Sequence, residues 1–572
     1  MNVAENLIAA LADHGVTTVW GVVGDALNPV TDAIRREDRI EWIGVRHEEA
    51  AAFAAGAQAQ LTGTIGVCMG TVGPGSIHLL NGLYDAKKSH APVLAVCGQV
   101  PTEEMGSEFF QEVNNDVLFS DVSVFTHTVT SAAQMPQILE QAVNTAYAQQ
   151  GVAVLTLPGD IGDLKLEDDA APRFAPRPAE AAAPVAQIQE AARVLADADA
   201  VTLLVGRGGR ESRQQVLDLA DRLQAPMVLT LKAKEGLEHD NPYAVGQSGL
   251  IGNPAAAKAL DDCDVLFLVG TDFPYREWLP KGKTVIQLNS RAEHIGRRIN
   301  VEHALVGHVG PTLDALLPQL PDKRPSGRHL DKATKAYATW HEAQQRLTDP
   351  DHDKKLLGRL RSLGDNPDKL IRPEIVAQAL NEHADPDAIF TSDTGMSTVW
   401  LSRFIEFSGT RRLLGSYNLG SMANAMPQAL GAQALDRSRQ VIACCGDGGL
   451  MMLLGDLRTA VTYDLPATFV VFDNGRLGMV KLEQEQGGLP EFGTELDNPD
   501  IAAVAAAMGL DAVRVTDPDE VAPAIQRALA SGRPALLDIV TNPDEVSIPP
   551  KPKVAQAWGF AIAKSKETIE SA

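Results

Sequence analysis

Residues 441–480, VIACCGDGGLMMLLGDLRTAVTYDLPATFVVFDNGRLGMV, decide how this chain is read. They open with an apolar run, Val441 to Cys445, that reads as a buried parallel strand. The run breaks at Gly446-Asp447-Gly448-Gly449. A helical pattern follows, then a second apolar run, Ala467 to Phe472, ending in Asp473-Asn474-Gly475. Two strands thus each end in a glycine-containing turn with a hard oxygen donor. Ligands of open parallel sheets sit beyond the carboxyl ends of the strands, so Asp447 and Asn474, 27 positions apart, are candidates to share one site. A carboxylate, an amide oxygen and a backbone carbonyl suit Mg²⁺, which takes its other ligands from water and substrate phosphates. The glycines let backbone N–H groups approach a diphosphate at the helix start. Either turn alone reads as a turn and nothing more; the pair carries the signal.

The rest of the chain sets bounds. Its 572 residues exceed one core and suggest three or four domains. A net charge of −24 argues against non-specific nucleic-acid binding. Cys68, Cys97, Cys263, Cys444 and Cys445 lie in or beside apolar runs without a CxxC, as expected for reduced core residues of a cytoplasmic protein. The N-terminus reads as an amphipathic helix with acids, not a signal peptide. No run of about 18 apolar residues marks a membrane span.

Residues 1–180 alternate helix and strand, with strands in VTTVWGVVG, IEWIGVRH, TIGVCMGTVGPG, PVLAVCGQ and VAVLTLPGD. Residues 168–187 are Pro- and Ala-rich and read as a linker. A second unit, 188–320, has strands in VTLLVGRGG, PMVLTLK, VLFLVG and TVIQLN; their polar ends make a plausible dinucleotide site, although GRGG is not GxGxxG. Residues 321–372 read as a second linker with helical pieces, 373–548 as a third unit, and 549–572 as a tail. The fold class is therefore α/β, with three doubly wound parallel-sheet domains.

The Asp447–Asn474 pattern resembles the thiamine diphosphate (ThDP) motif of the pyruvate oxidase and acetolactate synthase superfamily. The usual Asn-Asn ending is Asp473-Asn474 here, which keeps the metal-ligand position. RHEEAAAFAAGAQAQLTG, GPGSIHLLNGLYDA, FFQE, GLIG, GTDFPY, GSMANAMPQALGAQ, GTEL and SIPP extend the resemblance over about residues 3–560, and are most similar to the quinone-reducing pyruvate dehydrogenase branch. The resemblance implies a pyrimidine-binding, a central FAD-binding and a diphosphate-binding domain. ThDP would bridge the first and third across a subunit interface, in a homodimer at minimum and, as is usual in the family, a homotetramer. It implies that Glu48 hydrogen-bonds N1′ of the aminopyrimidine, favouring the 4′-imino tautomer that removes the thiazolium C2 proton, with Glu49 a bystander. Met422 would wedge under the bent cofactor, and the Gly420 carbonyl would accept from the 4′-amino group. Asp447, Asn474 and the Arg476 carbonyl would hold Mg²⁺. Asp393, Thr394, Gly395, Met396, Gly448, Gly449 and Gly478 would line the diphosphate. Ser248, Gly249, Leu250, Ile251, Gly270, Thr271, Asp272, Phe273, Pro274, Tyr275 and Asn289 would contact FAD. Phe110, Gln111 and Glu483 match substrate-side positions. The implied reaction is oxidative decarboxylation of pyruvate to acetate and CO₂, or to acetyl phosphate if phosphate attacks, with electrons passing through FAD to a quinone or oxygen.

Three departures bear on this. Two acidic residues that read the adenosine end of FAD are Asn289 and His308 here. The tail after Trp558-Gly559-Phe560 is short and acidic, which predicts weak or no membrane association. A family His is Leu419. The alternatives are a non-redox decarboxylase or carboligase of the acetolactate synthase kind, and a catalytically idle cofactor-binding protein, the latter opposed by intact Glu48, Met422, Asp447 and Asn474.

Overall fold

The computed structural model describes residues 1–166, 172–175, 179–322, 327–355, 366 and 368–545. The expectations for SIPP and the C-terminal tail lie outside the described residues. The described chain contains three six-stranded sheets whose strand pairs are all parallel. The first holds β1 (Thr18–Gly21), β2 (Glu41–Gly44), β3 (Gly66–Gly70), β4 (Val93–Gln99), β5 (Ser123–Thr128) and β6 (Val152–Pro158) in the order 2-1-3-4-6-5. The third holds β13 (Ile389–Ser392), β14 (Arg412–Gly415), β15 (Val441–Gly446), β16 (Thr468–Asp473), β17 (Asp511–Val515) and β18 (Ala535–Val540) in the same relative order. The middle sheet holds β7 (Val201–Val205), β8 (Met227–Leu229), β9 (Ala244–Gln247), β10 (Val265–Val269), β11 (Thr284–Asn289) and β12 (His303–Val306) as 12-11-10-7-8-9. Counted within the domain, that is the 3-2-1-4-5-6 order of dinucleotide-binding sheets, with the crevice where order reverses, between β7 and β10.

Each sheet is buried on both faces, as a parallel sheet covered by helices requires. Alternate strand residues enter different cores: Trp20, Cys68 and Ala95 one, Val19, Val67 and Leu94 the other. The first of these cores is shared with the third domain, taking in Ala443, Cys445, Phe469 and Val471. Two helices, Glu48–Thr62 and Ala425–Leu435, lie between the outer sheets. Their small side chains allow a close approach: a Cβ on Gly431 would stand 2.4 Å from the Ala54 carbonyl oxygen. Gln58 secures the contact, donating to the Gly431 carbonyl at 3.1 Å and accepting from Thr18 and Trp20.

The sequence reading missed β5, β9, β12, β14, β17 and β18. All but β18 are edge strands, and an edge strand has a weaker apolar signal: β17 is mostly exposed and β5 only half-buried. All five cysteines are buried thiols. No described helix is long and apolar enough to cross a membrane.

Candidate active site

In the third domain β15 ends at Gly446 and the chain turns into the short helix Asp447–Met452. Space above the strand ends is open, since a Cβ on Gly395, Gly420 or Gly446 would meet nothing within 4 Å. Gly449 is the opposite case, because its Cβ would lie 2.4 Å from Asp393 Oδ2. Asp393 turns inward: Oδ1 accepts from the Ala425 N–H at 2.9 Å and Oδ2 from the Gly446 N–H at 3.1 Å. It ties the ends of β13 and β15 together, and burial pushes its carboxyl up to about 6. Its carboxylate is thus committed to the backbone, while Thr394 and Gly395 line open space.

Asp447 is buried, and burial with Asp473 alongside raises its carboxyl well above the usual carboxylate range. A divalent cation offsets both costs. Asn474 follows β16, and its Oδ1 accepts from the Arg476 N–H at 3.1 Å in a tight turn with Gly475 at φ +61°. The following segment folds back, Leu496 donating to Gly475 and Leu477 to Thr494. That return brings in Asn498, which the sequence reading did not single out; its amide donates to Asp447 Oδ2 at 2.7 Å and Asp473 Oδ1 at 3.1 Å. The donor set and the open glycine cradle fit a Mg²⁺–diphosphate. Met422 packs over this turn, its methyl 3.4 Å from where a Gly448 Cβ would stand, and Gly478 abuts Met396 and Asn474.

In the first domain Glu48 is the first residue of its helix, capped by His47, whose ring accepts from the Glu49 N–H. Glu48 is buried; its Oε2 lies 3.0 Å from His78 Nδ1, and Oε1 faces the backbone of Gly75. The His47 and His78 rings stack 4.5 Å apart. Glu49 is held aside by Asn81, whose amide also reaches Ser421 Oγ at 2.9 Å, next to Gly420 and Met422. Asn81 therefore ties Glu49 to the Gly420–Met422 segment. Gln111, at φ +66°, rests its backbone against Gly73, which places it beside the Glu48 turn; its neighbour Phe110 is 77% exposed.

A cleft of about 1300 Å³ opens at the carboxyl ends of the middle sheet. Ser248, Leu250, Ile251, Gly270 to Tyr275 and Asn289 line it, with Gly249 just behind, under Phe273 and Tyr275. Its far wall comes from the other domains: Gln60, Ser89 and His90 of the first, Thr394, Gly395, Met479 and Glu483 of the third. Gly208 and Gly270 approach so closely that a Cβ on either would stand 2.9 Å or less from the other's backbone. Buried Ser248 Oγ has no protein partner, as befits a ligand-facing hydroxyl. Lys232 and Arg207 both hold Ser89, at 3.1 and 2.5 Å, and burial pulls the Lys232 ammonium down to about 8. These features fit a dinucleotide such as FAD. Asn289 and His308 line the cleft and also bond locally, Asn289 Oδ1 accepting from the Arg291 N–H and His308 Nδ1 from the Ala181 N–H.

Three family models match in chain order: the thiamine pyrophosphate enzyme N-terminal TPP binding domain over residues 1–118, the central domain over 188–316 and the C-terminal TPP binding domain over 393–539. A putative thiamine pyrophosphate-containing protein, YdaP, of Bacillus subtilis is 36% identical over 98% of this chain and 95% of its own. Pyruvate oxidase of Lactiplantibacillus plantarum is 32% identical over 94% of this chain and 88% of its own. The acetolactate synthase isozyme 2 large subunit of Escherichia coli is 32% identical over 94% and 95%. With three matched domains, and these relatives covered nearly end to end, the chain belongs to the thiamine pyrophosphate enzyme family, within the pyruvate oxidase and acetolactate synthase superfamily.

Proposed function

We propose that this enzyme decarboxylates pyruvate, or a close 2-oxo acid, oxidatively, using thiamine diphosphate, Mg²⁺ and FAD, and passes the electrons to a quinone or oxygen. The observation that carries this reading is the continuity of the middle-domain cleft. It runs from dinucleotide-type strand ends to Thr394, Gly395, Met479 and Glu483 at the edge of the diphosphate site. When bound, the thiazolium supplies the electron sink for decarboxylation and the flavin the two-electron acceptor. Asp447, Asn474 and the Arg476 carbonyl anchor the cation, and the N–H groups of Gly448 and Gly449 face the diphosphate. Glu48 holds the proton at N1′; its burial strengthens that hydrogen bond. Phe110, Gln111 and Glu483 bound the substrate side.

The active unit in this reading is at least a homodimer and, in full assembly, a homotetramer. Both half-sites carry exposed apolar side chains of the kind an interface covers: Val23, Ile77, Phe109 and Phe110 on one, Met452, Val480, Leu489 and Phe492 on the other. Light scattering over a dilution series checks this, and a stable active monomer would refute it.

The test of the chemistry is the visible spectrum of the purified protein. Bound flavin bleached by pyruvate without oxygen supports oxidation. A second reading, a non-redox acetolactate-forming carboligase, draws on the local hydrogen bonds of Asn289 and His308. A colourless protein converting pyruvate to acetolactate would establish it and overturn the first.

A further inference from the structure

Behind the proposed cation site lies a buried polar cluster that extends beyond the motif. Asp447, Asp473 and Asp538 all have relative exposures of 5% or less. Asp473 closes β16, Asp538 lies in the adjacent β18, and Arg514 from edge strand β17 reaches both. Its Nη2 is 3.4 Å from Asp473 Oδ2, and its Nη1 pairs with Asp538. On the other side of Asp473, the single amide nitrogen of Asn498 uses its two hydrogens on two different carboxylates, Asp447 and Asp473. One guanidinium and one amide thus link three buried carboxylates.

Two buried carboxylates side by side repel, and a buried charge without partners is strongly disfavoured. The amide bridge converts that repulsion into a fixed geometry. It holds one oxygen of Asp447 and leaves the other for a cation. It also ties that ligand to Asp473, one residue before Asn474, so that one amide links both candidate ligand positions. Arg514 holds Asp473 from the far side without lying between it and the site. Partners that orient metal ligands typically contribute about 10–100-fold in affinity.

We propose that Asn498 and Asp473 are a positioning pair for the cation ligand Asp447, Asn498 fixing its orientation and Asp473 anchoring Asn498. The proposal rests on the reading of Asp447 and Asn474 as the Mg²⁺ site. It concerns how tightly the cation is held, not the reaction that follows.

The test is titration calorimetry of Mg²⁺, and separately of Mn²⁺, into the full-length protein with excess thiamine diphosphate. It covers wild type, Asn498→Ala, Asp473→Asn and the double variant. Circular dichroism melts confirm that each is folded. Asn498→Ala is expected to weaken both cations about 10–100-fold. Asp473→Asn should weaken them about 3–10-fold, since a neutral amide oxygen holds Asn498 less firmly than a carboxylate. The double variant should be no weaker than Asn498→Ala by more than about 3-fold, because Asp473 acts largely through the bridge. If Asn498→Ala is too unstable to titrate, Asp473→Asn and Asn498→Ser carry the test. Wild type that binds no cation with thiamine diphosphate would overturn the metal reading itself. Tight wild-type binding unchanged in folded variants would overturn the positioning pair alone, and a fully multiplicative double variant would overturn the bridge between them.

Discussion

Gly446 and Gly449 lie three residues apart in one turn, yet their replacement by alanine should act in opposite ways. At Gly449 the new Cβ would stand 2.4 Å from Asp393 Oδ2, inside the 3.0 Å that Cβ contacts essentially never cross. The obstacle is not the free end of a flexible chain. It is a buried carboxylate pinned by the Ala425 and Gly446 N–H groups at 2.9 and 3.1 Å. Making room stretches or breaks those bonds. Hydrogen bonds to a charged group are worth about 1.5–3 kcal/mol each, so partial loss of both costs about 2–4 kcal/mol. For a domain of this size that lowers the melting temperature by roughly 5–15 °C. Gly446 has ordinary backbone angles, φ −80° and ψ 149°, and no atom within 4 Å of its Cβ position. Its N–H still reaches Asp393 when it becomes alanine, so stability should hold within about 0.5 kcal/mol. The methyl group would instead occupy the open space assigned to the diphosphate, and affinity for thiamine diphosphate should fall at least about tenfold, near 1.4 kcal/mol. Calorimetric melts of both variants, with cofactor titrations of Gly446→Ala, read both effects. A Gly449→Ala protein melting within about 1 °C of wild type would refute the steric reasoning.

Other outcomes follow from the same contacts. Gly431→Ala drives a Cβ into the Ala54 carbonyl at 2.4 Å, so it should separate the two central helices and lower both stability and cofactor binding; differential scanning calorimetry with and without thiamine diphosphate checks this. Glu48→Gln should retain Mg²⁺-dependent cofactor binding while losing most turnover; near-normal turnover would remove Glu48 from its role. Asp85 is buried against Gln428 and Lys232, and burial raises its carboxyl to about 6. The folded group keeps its proton up to about pH 6, the unfolded one only to about pH 4. Folding therefore takes up a proton between those values, and raising the pH through that window removes stability. Urea unfolding should show Asp85→Asn gaining on wild type between pH 4 and pH 7, by at most about 3 kcal/mol.

Legibility in the sequence followed burial and locality. Interior strands such as Val441–Gly446 and Thr468–Asp473 announce themselves because both faces are apolar. Edge strands such as Asp511–Val515, with mostly exposed side chains, read as loop until a neighbour pairs with them. Asp447 and Asn474 were legible because each directly follows a strand. Asn498 was not, for it sits 51 positions from Asp447 in an irregular segment that the Leu496–Gly475 and Leu477–Thr494 hydrogen bonds carry back. His78 stood in the sequence as one more polar residue after Gly73-Pro74-Gly75, and its 3.0 Å contact with Glu48 depends on a helix 30 residues earlier. The inward turn of the Asp393 carboxylate was likewise invisible, since it depends on two backbone donors from separate elements.

The shared strand order of the outer sheets has a historical meaning. In each, the second strand leads into a central helix, Glu48–Thr62 after β2 and Ala425–Leu435 after β14, and those counterparts pack on one another. In each, the third strand ends in a glycine turn, Gly73-Pro74-Gly75 in one and Gly446-Asp447-Gly448 in the other. Duplication of one domain would leave such a pattern. The two domains differ at these points, one starting its helix with buried Glu48 and the other setting Asp447 at its glycine turn. A cofactor with a base at one end and a diphosphate at the other is the kind of ligand that only such unequal twins can hold.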